Sequence, residues 1–170
     1  MSETTLDQVL TVRRAASAEV VDVDEPTVKL VVFELGGQRF AFPGERVREI
    51  LSEAEVFFVP GSPPSLEGVV NVRGDIESVI LLDGLLQLPE RTGTRASSIL
   101  VGRGSAMTSG IRVDRVLDVT DVPQGALQPP PATLSEPMRS LVQHVLRHEG
   151  QPVAVLDLDA IFDAFTRGLV

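Results

Sequence analysis

The chain has 170 residues, 43% of them hydrophobic, and carries 15 Lys and Arg against 24 Asp and Glu for a formal net charge of −9. That much apolar material suffices for one ordinary domain or two small barrels sharing an interface, while the acidic balance, with no basic cluster and no Trp or Tyr stacking platform, argues against nucleic acid as a partner. The lack of cysteine rules out disulfides, thiolate metal sites and a cysteine nucleophile and suits a reducing cytosol, and Lys29, the only lysine, leaves every Gly-rich turn without the lysine of a phosphate-binding loop.

Residues 1–27 read as a flexible arm. Six acids (Glu3, Asp7, Glu19, Asp22, Asp24, Glu25) face only Arg13 and Arg14, and Pro26 closes the stretch. Thr5 and Gln8 have capping-box spacing, and Leu6, Val9 and Leu10 would line one side of a short helix; the polarity and terminal position favour a solvated tail. No charged n-region precedes an apolar h-region, and no stretch approaches a membrane span, so neither export nor insertion is expected.

From Val28 the pattern changes to strands. "VKLVVFELGGQRFAFP" is two β-branched or aromatic runs around Gly36 and Gly37, a strong hairpin signal because glycine supplies the positive φ of a tight primed turn. "ERVREIL" reads as a short helical or turn segment and "EVFFVP" as a third strand, stopped by Pro60, Pro63 and Pro64. "LEGVVNVRG" and "IESVILLDGLLQLP" predict two strands around a turn at Gly74, then a short helical turn over Asp83 to Leu88.

The second half partly repeats this order. "SSILVGRGSAMTSGIRVDRV" again gives strand, Gly-containing turn and strand, and "RVLDVTDVP" (Arg115 to Pro123) echoes "RVREILSEAEVFFVP" (Arg46 to Pro60), as though one β unit occurs twice. "QGALQPPPATLSE" is a Pro-stiffened loop. "EPMRSLVQHVLRHEG" fits a helix or a strand, and "QPVAVLDLDAIFDAF" predicts a strand running into a helix that docks through Ile161, Phe162 and Phe165.

Few residues suggest reaction chemistry. His144 and His148 are four apart with Glu149 adjacent, which on a helix would place two imidazoles on one face, but Val145 stands where a zinc-protease motif needs Glu. Ser105 lacks the glycine two residues on that a nucleophile elbow requires, and Met107 replaces the last glycine of a dinucleotide fingerprint begun by Gly102 and Gly104. Asp157 and Asp159 suit a helix cap better than a general acid and base. No enzyme, no metal and no cofactor is expected.

"GVVNVRGD" is the stretch that composition alone does not explain, since a strand entering a core has no use for a guanidinium. An adhesion tripeptide (Arg73, Gly74, Asp75) sits badly with a cysteine-free chain lacking an export signal. The wider pattern "VVFELGGQRFAF…RVREIL…VP…P…LEGVVNVRGDI", continued through "GIRVDRVLDVTDVP", "LQPPP" and "VAVLDLDAIF", resembles the CheW-like adaptor family of bacterial chemosensory systems over about residues 28 to 165. Its G-V-x-N-L-R-G signature falls on Gly68, Val69, Asn71, Val72, Arg73 and Gly74, with Val72 in place of leucine.

The resemblance implies an all-β fold of two small five-stranded, SH3-like barrel subdomains packed around a shared core, with short helices including one near the C-terminus. The expected organisation is an arm over 1–27 and a CheW-like domain over 28–167, the subdomains changing over near 64–75 and the C-terminal segment crossing back to the first. It further implies a cytoplasmic scaffold at membrane-associated receptor arrays, joining chemoreceptor tips to the regulatory domain of a histidine autokinase, without catalysis and without receiver or kinase domains of its own. Partner contacts carry over onto Val47, Glu49, Asn71 and Arg73, and turn-forming roles onto Gly68 and Gly74. Arg73 then has two readings: an exposed donor fork for a partner's carboxylates or carbonyls, or a strut paired internally with a carboxylate. One departure stands out, since Ser78, Leu81 and Asp83 occupy positions where members usually have proline, aspartate and arginine. Rival readings are an adaptor of a pilus-motility or other alternative pathway and, from a different class, a small-molecule-binding or hydrolytic β-barrel, which would need a concave site with convergent polar groups.

Overall fold

Residues 25–89 and 98–168 are described by the computed structural model; the expected arm lies, apart from its last residues, outside them. Ten strands run in chain order: β1 (Thr27–Leu35), β2 (Gln38–Pro43), β3 (Val47–Ser52), β4 (Leu66–Val72), β5 (Asp75–Leu81), β6 (Ser98–Arg103), β7 (Thr108–Val113), β8 (Arg115–Pro123), β9 (Val142–His148) and β10 (Gln151–Leu156). Three α-helices accompany them among the described residues: α1 (Leu82–Leu85), α2 (Met138–Leu141) and α3 (Leu158–Arg167). The fold is all-β as expected, built as two five-stranded sheets ordered β8-β1-β2-β10-β9 and β3-β6-β7-β5-β4.

The two sheets have the same wiring. In the first, β8 pairs antiparallel with β1, β1 with β2, β2 parallel with β10, and β10 antiparallel with β9. In the second, β3, β6, β7, β5 and β4 take those places with the same senses in the same order. Each sheet also closes on itself: Phe57, beyond β3, bridges Val69 of β4, and Gln128, beyond β8, bridges Val145 of β9. The echo between "RVREIL" and "RVLDVTDVP" therefore has a structural counterpart, since β3 and β8 are the corresponding edge strands.

Tight turns follow the glycines. Gly36 and Gly37 (φ +62° and +78°), Arg73 and Gly74 (+54° and +94°), and Glu149 and Gly150 (+54° and +76°) each supply the two consecutive positive φ values of a type I′ hairpin. Inward positions of both sheets meet in one cluster, where Phe33, Phe40 and Phe42 of the first sheet pack with Ile80, Leu100 and Ile111 of the second. Phe33 stacks on Phe40 and Phe42 with ring centroids 5.9 and 5.3 Å apart. Helix α3 covers this cluster through Leu158, Ile161, Phe162 and Phe165, as its apolar spacing predicts. Asp157 caps it, accepting the Ala160 N–H at 3.1 Å.

Three expectations are corrected. The chain changes sheet at the 3-10 turn Gly44–Arg46 and returns at Asp114, rather than changing over near 64–75. The reason is long-range: β3 finds its partner in β6, beyond the Pro-rich loop and the β4–β5 hairpin. "ERVREIL" is a 3-10 turn followed by a strand, and "EVFFVP" forms a single bridge rather than a strand. The donor-less Pro60 and the register shift of β4 between Leu66 and Gly68 confine that pairing to Phe57 and Val69. The ambiguous "EPMRSLVQHVLRHEG" divides into α2 and β9, so His144 and His148 lie on a strand and not on a helix.

Candidate functional site

The signature residues gather at the seam of the second sheet. Arg73 and Gly74 form the β4–β5 turn, and Asn71 builds it by accepting the Gly74 N–H at 2.8 Å through Oδ1. A non-glycine residue at φ +54° is uncommon, and it directs the Arg73 side chain across the seam. There Nε donates to Glu49 on β3, at 3.1 Å from Oε1 and 3.2 Å from Oε2. Glu49 is in reach because a bulge at Arg48 interrupts the β3–β6 register between Val47 and Glu49.

Both readings of Arg73 contain part of the geometry. The side chain is paired internally, yet remains 79% exposed, against 26% for Glu49. The hydrogen bond that Arg73 donates to Glu49, and then the charge of that carboxylate, strengthen the guanidinium's hold on its proton. Only Nε is occupied: among the described residues the two Nη groups donate to no protein acceptor. The fork is thus oriented through Nε and open on its outer edge.

The remaining sequence-derived residues divide. Val47 is half-buried on β3, opposite Gly102, and packs against the main core rather than standing open. Gly68 does not form a turn: it lies inside β4, where a Cβ would come within 2.3 Å of the Phe57 carbonyl oxygen. The glycine is required by that close approach, because Phe57 and Val69 exchange backbone hydrogen bonds of 2.8 and 2.9 Å beside it. Ser78, in place of the family's proline, shares a 2.6 Å hydroxyl contact with Ser109 of β7.

Several features escaped the sequence reading. Phe57, Phe58 and Val59 expose apolar surface beyond β3, Phe58 at 73%, and Ile76 on β5 and Ile50 on β3 are also exposed. The cluster of prolines after Val59 is the one local sign that "EVFFVP" would not pair as a strand. Arg112, nearly buried on β7, makes a bidentate pair with Glu67 of β4, both bonds 2.8 Å. Asp159 accepts the Ser105 N–H and hydroxyl at 2.7 and 2.8 Å and meets Arg46 at 3.4 Å, tying α3 to the β6–β7 turn and the 3-10 turn. The Ser105 donors hold its carboxyl below the usual aspartate range, aided by Arg46. A groove beside β2, β9 and β10 is lined mainly by Phe40, Leu134, Met138, Val142 and Val145, a packing surface rather than a set of convergent polar groups. No helix among the described residues is long and apolar enough to cross a membrane.

Comparison with known proteins agrees with this architecture. The family model described as "CheW-like domain" matches residues 29–165. The chain is 29% identical over 139 residues to the chemotaxis protein CheW of Rhizobium meliloti, covering 82% of this chain and 90% of that protein. It is 30% identical over 107 residues to the protein FrzA of Myxococcus xanthus, covering 62% and 66%. The crystal structure of the scaffolding protein TtCheW from Thermoanaerobacter tengcongensis superposes with a TM-score of 0.72 at 23% identity, covering 81% of this chain and 94% of that one, a likeness of fold. With its duplicated five-stranded sheets, its Asn71-Val72-Arg73-Gly74 turn and a family match over 29–165, the chain belongs to the CheW-like domain family of chemosensory adaptors.

Proposed function

We propose that this adaptor joins the cytoplasmic tips of chemoreceptors to the regulatory domain of a histidine autokinase, by simultaneous protein–protein contacts and with no catalysis of its own. The observation that carries the reading is the open outer edge of Arg73, oriented by Glu49 at 3.1 Å, within a family-matched chain. A guanidinium held this way offers several donors to a partner's carboxylate or carbonyl groups at reduced entropic cost. Val47, Glu49, Asn71 and Arg73 form the receptor-contact group in this proposal: Arg73 is the contact, Glu49 and Asn71 set its direction, and Val47 supports β3 from the core side. Gly74 permits the turn. The exposed Phe57, Phe58 and Ile76 give the second partner an apolar surface of the kind that interfaces cover. The protein works in the cytoplasm, at receptor arrays, and the two sheets act as its two subdomains.

Reconstitution of the chain with a receptor signalling fragment and a kinase tests this. Receptor-coupled kinase activation is expected to require the chain, and labelled ATP is expected to leave no stoichiometric phosphate on it. Activation without the chain, or stable label on it, would reverse the assignment.

A second reading is favoured by one observation, the 30% identity to FrzA. In that reading the same contacts serve a pilus-motility or other alternative pathway. Binding assays with receptors and kinases of the two kinds of pathway separate them.

A further inference from the structure

The duplicated wiring allows the two seams to be compared position by position. In the second sheet, the edge strand β3 presents Glu49 to the β4–β5 turn, whose first residue, Arg73, is a cation at φ +54°. In the first sheet the corresponding edge strand, β8, presents Asp118 to the β9–β10 turn. The first residue of that turn, also at φ +54°, is Glu149. An acid thus stands where the other seam has its arginine. Among the described residues only His148, just before the turn, mediates: Nε2 lies 2.9 Å from Asp118 Oδ2 and 3.9 Å from Glu149 Oε2. Among the described residues no lysine or arginine forms an ion pair with either carboxylate. With the imidazole neutral the group carries two negative charges and no cation.

We infer that Asp118, His148 and Glu149 form a binding site for a divalent transition-metal cation, which closes the first sheet's seam as Arg73 and Glu49 close the second. One donor atom from each residue lies within 4.8 Å of the others. A tetrahedral zinc ion with bonds of about 2.0–2.2 Å holds its donors roughly 3.3 Å apart, between the 2.9 and 3.9 Å found here. Closing the longer separation falls to the Glu149 side chain, which is free to move because it is 70% exposed, while His148 is anchored at 16%. The site lies at the end of a core: His148 follows Leu146 on the same face of β9, and Leu146 packs with Val32, Val122 and Val155. Imidazole with two carboxylates selects zinc and its neighbours over magnesium and calcium, which prefer all-oxygen sites. Three protein ligands leave the fourth position to water. Because the ligands come from opposite edges of one sheet, binding stabilises the folded sheet specifically.

Isothermal titration of the full chain with zinc chloride and thermal unfolding with and without zinc test the proposal, with magnesium chloride as the contrasting ion. The expected result is one zinc per chain and a rise in Tm of a few degrees that saturates with that stoichiometry, with no comparable effect of magnesium. Asp118→Asn and His148→Ala should each weaken binding about tenfold or more, and Glu149→Gln, on an exposed turn where the change leaves packing intact, should weaken it also. Glu149→Arg recreates the charge pattern of the other seam: it should abolish the zinc response without lowering the metal-free Tm. Absence of zinc binding, or zinc binding that persists unchanged in Glu149→Gln and Glu149→Arg, overturns the site and assigns the effect to scattered surface carboxylates.

Discussion

Arg73 Nε and Glu49 Oε1 meet at 3.1 Å across 24 residues of sequence, joining the β4–β5 turn to the edge strand β3. Pairs this exposed contribute little to folding, because solvent screens them and ordering two side chains opposes the attraction. Their use is to orient one group. Arg73→Ala should therefore leave Tm nearly unchanged while weakening receptor binding about ten- to a hundredfold. Glu49→Gln should produce a smaller loss, since the guanidinium remains but its direction is less fixed. Thermal unfolding beside receptor titration on both variants checks this; a large fall in Tm with binding intact would make Arg73 a strut.

Gly68 gives the opposite profile. An added Cβ would meet the Phe57 carbonyl oxygen at 2.3 Å, and the bridge of Phe57 to Val69 leaves the backbone no room to yield. Gly68→Ala should destabilise the fold by about 2–4 kcal/mol through strain and loss of that bridge, a fall in Tm of roughly 10 °C. Denaturant unfolding measures it.

The Asp159 carboxyl predicts an acid-sensitive contact. The Ser105 donors hold its folded-state pKa below that of an unfolded aspartate, so the unfolded chain binds the proton more readily. The contribution is therefore complete above the ordinary aspartate pKa of about 3.9 and disappears as pH falls through the lower folded value. Asp159→Asn should cost stability at neutral pH and converge with the parent chain in acid. Ser105→Ala should move the acid limb toward the ordinary value, as tracked by NMR titration of the Asp159 carboxyl.

Phe58 is 73% exposed beyond β3. Phe58→Ser should change stability by less than about 0.5 kcal/mol, while reducing kinase binding. Retained kinase affinity together with lost receptor affinity would exchange the two partners' places.

The local features of this fold were legible in the sequence. Alternating β-branched or aromatic residues marked β1, β2, β4 and β5, and Gly37 and Gly74 marked turns that need positive φ. The spacing of Leu158, Ile161, Phe162 and Phe165 marked the docked helix. Gly68 was legible as a special position but not for its reason, because the carbonyl it accommodates belongs to Phe57, outside its own strand. The Phe57 to Val59 stretch looked like a strand because its side chains suit one, and only the short partner run at Val69 denied it a ladder.

What the sequence determined by itself was therefore most of the strands and the glycine turns at Gly37 and Gly74, β3 and β9 excepted, since φ, ψ and side-chain alternation are properties of a few neighbouring residues. The tertiary structure alone decided which strands share a sheet and which charges meet: β3 with β6, Glu49 with Arg73, Glu67 with Arg112, and Asp118 with His148. Those pairings depend on how the two sheets bury their common core, and burial is a property of the whole chain, so no window of sequence contains it.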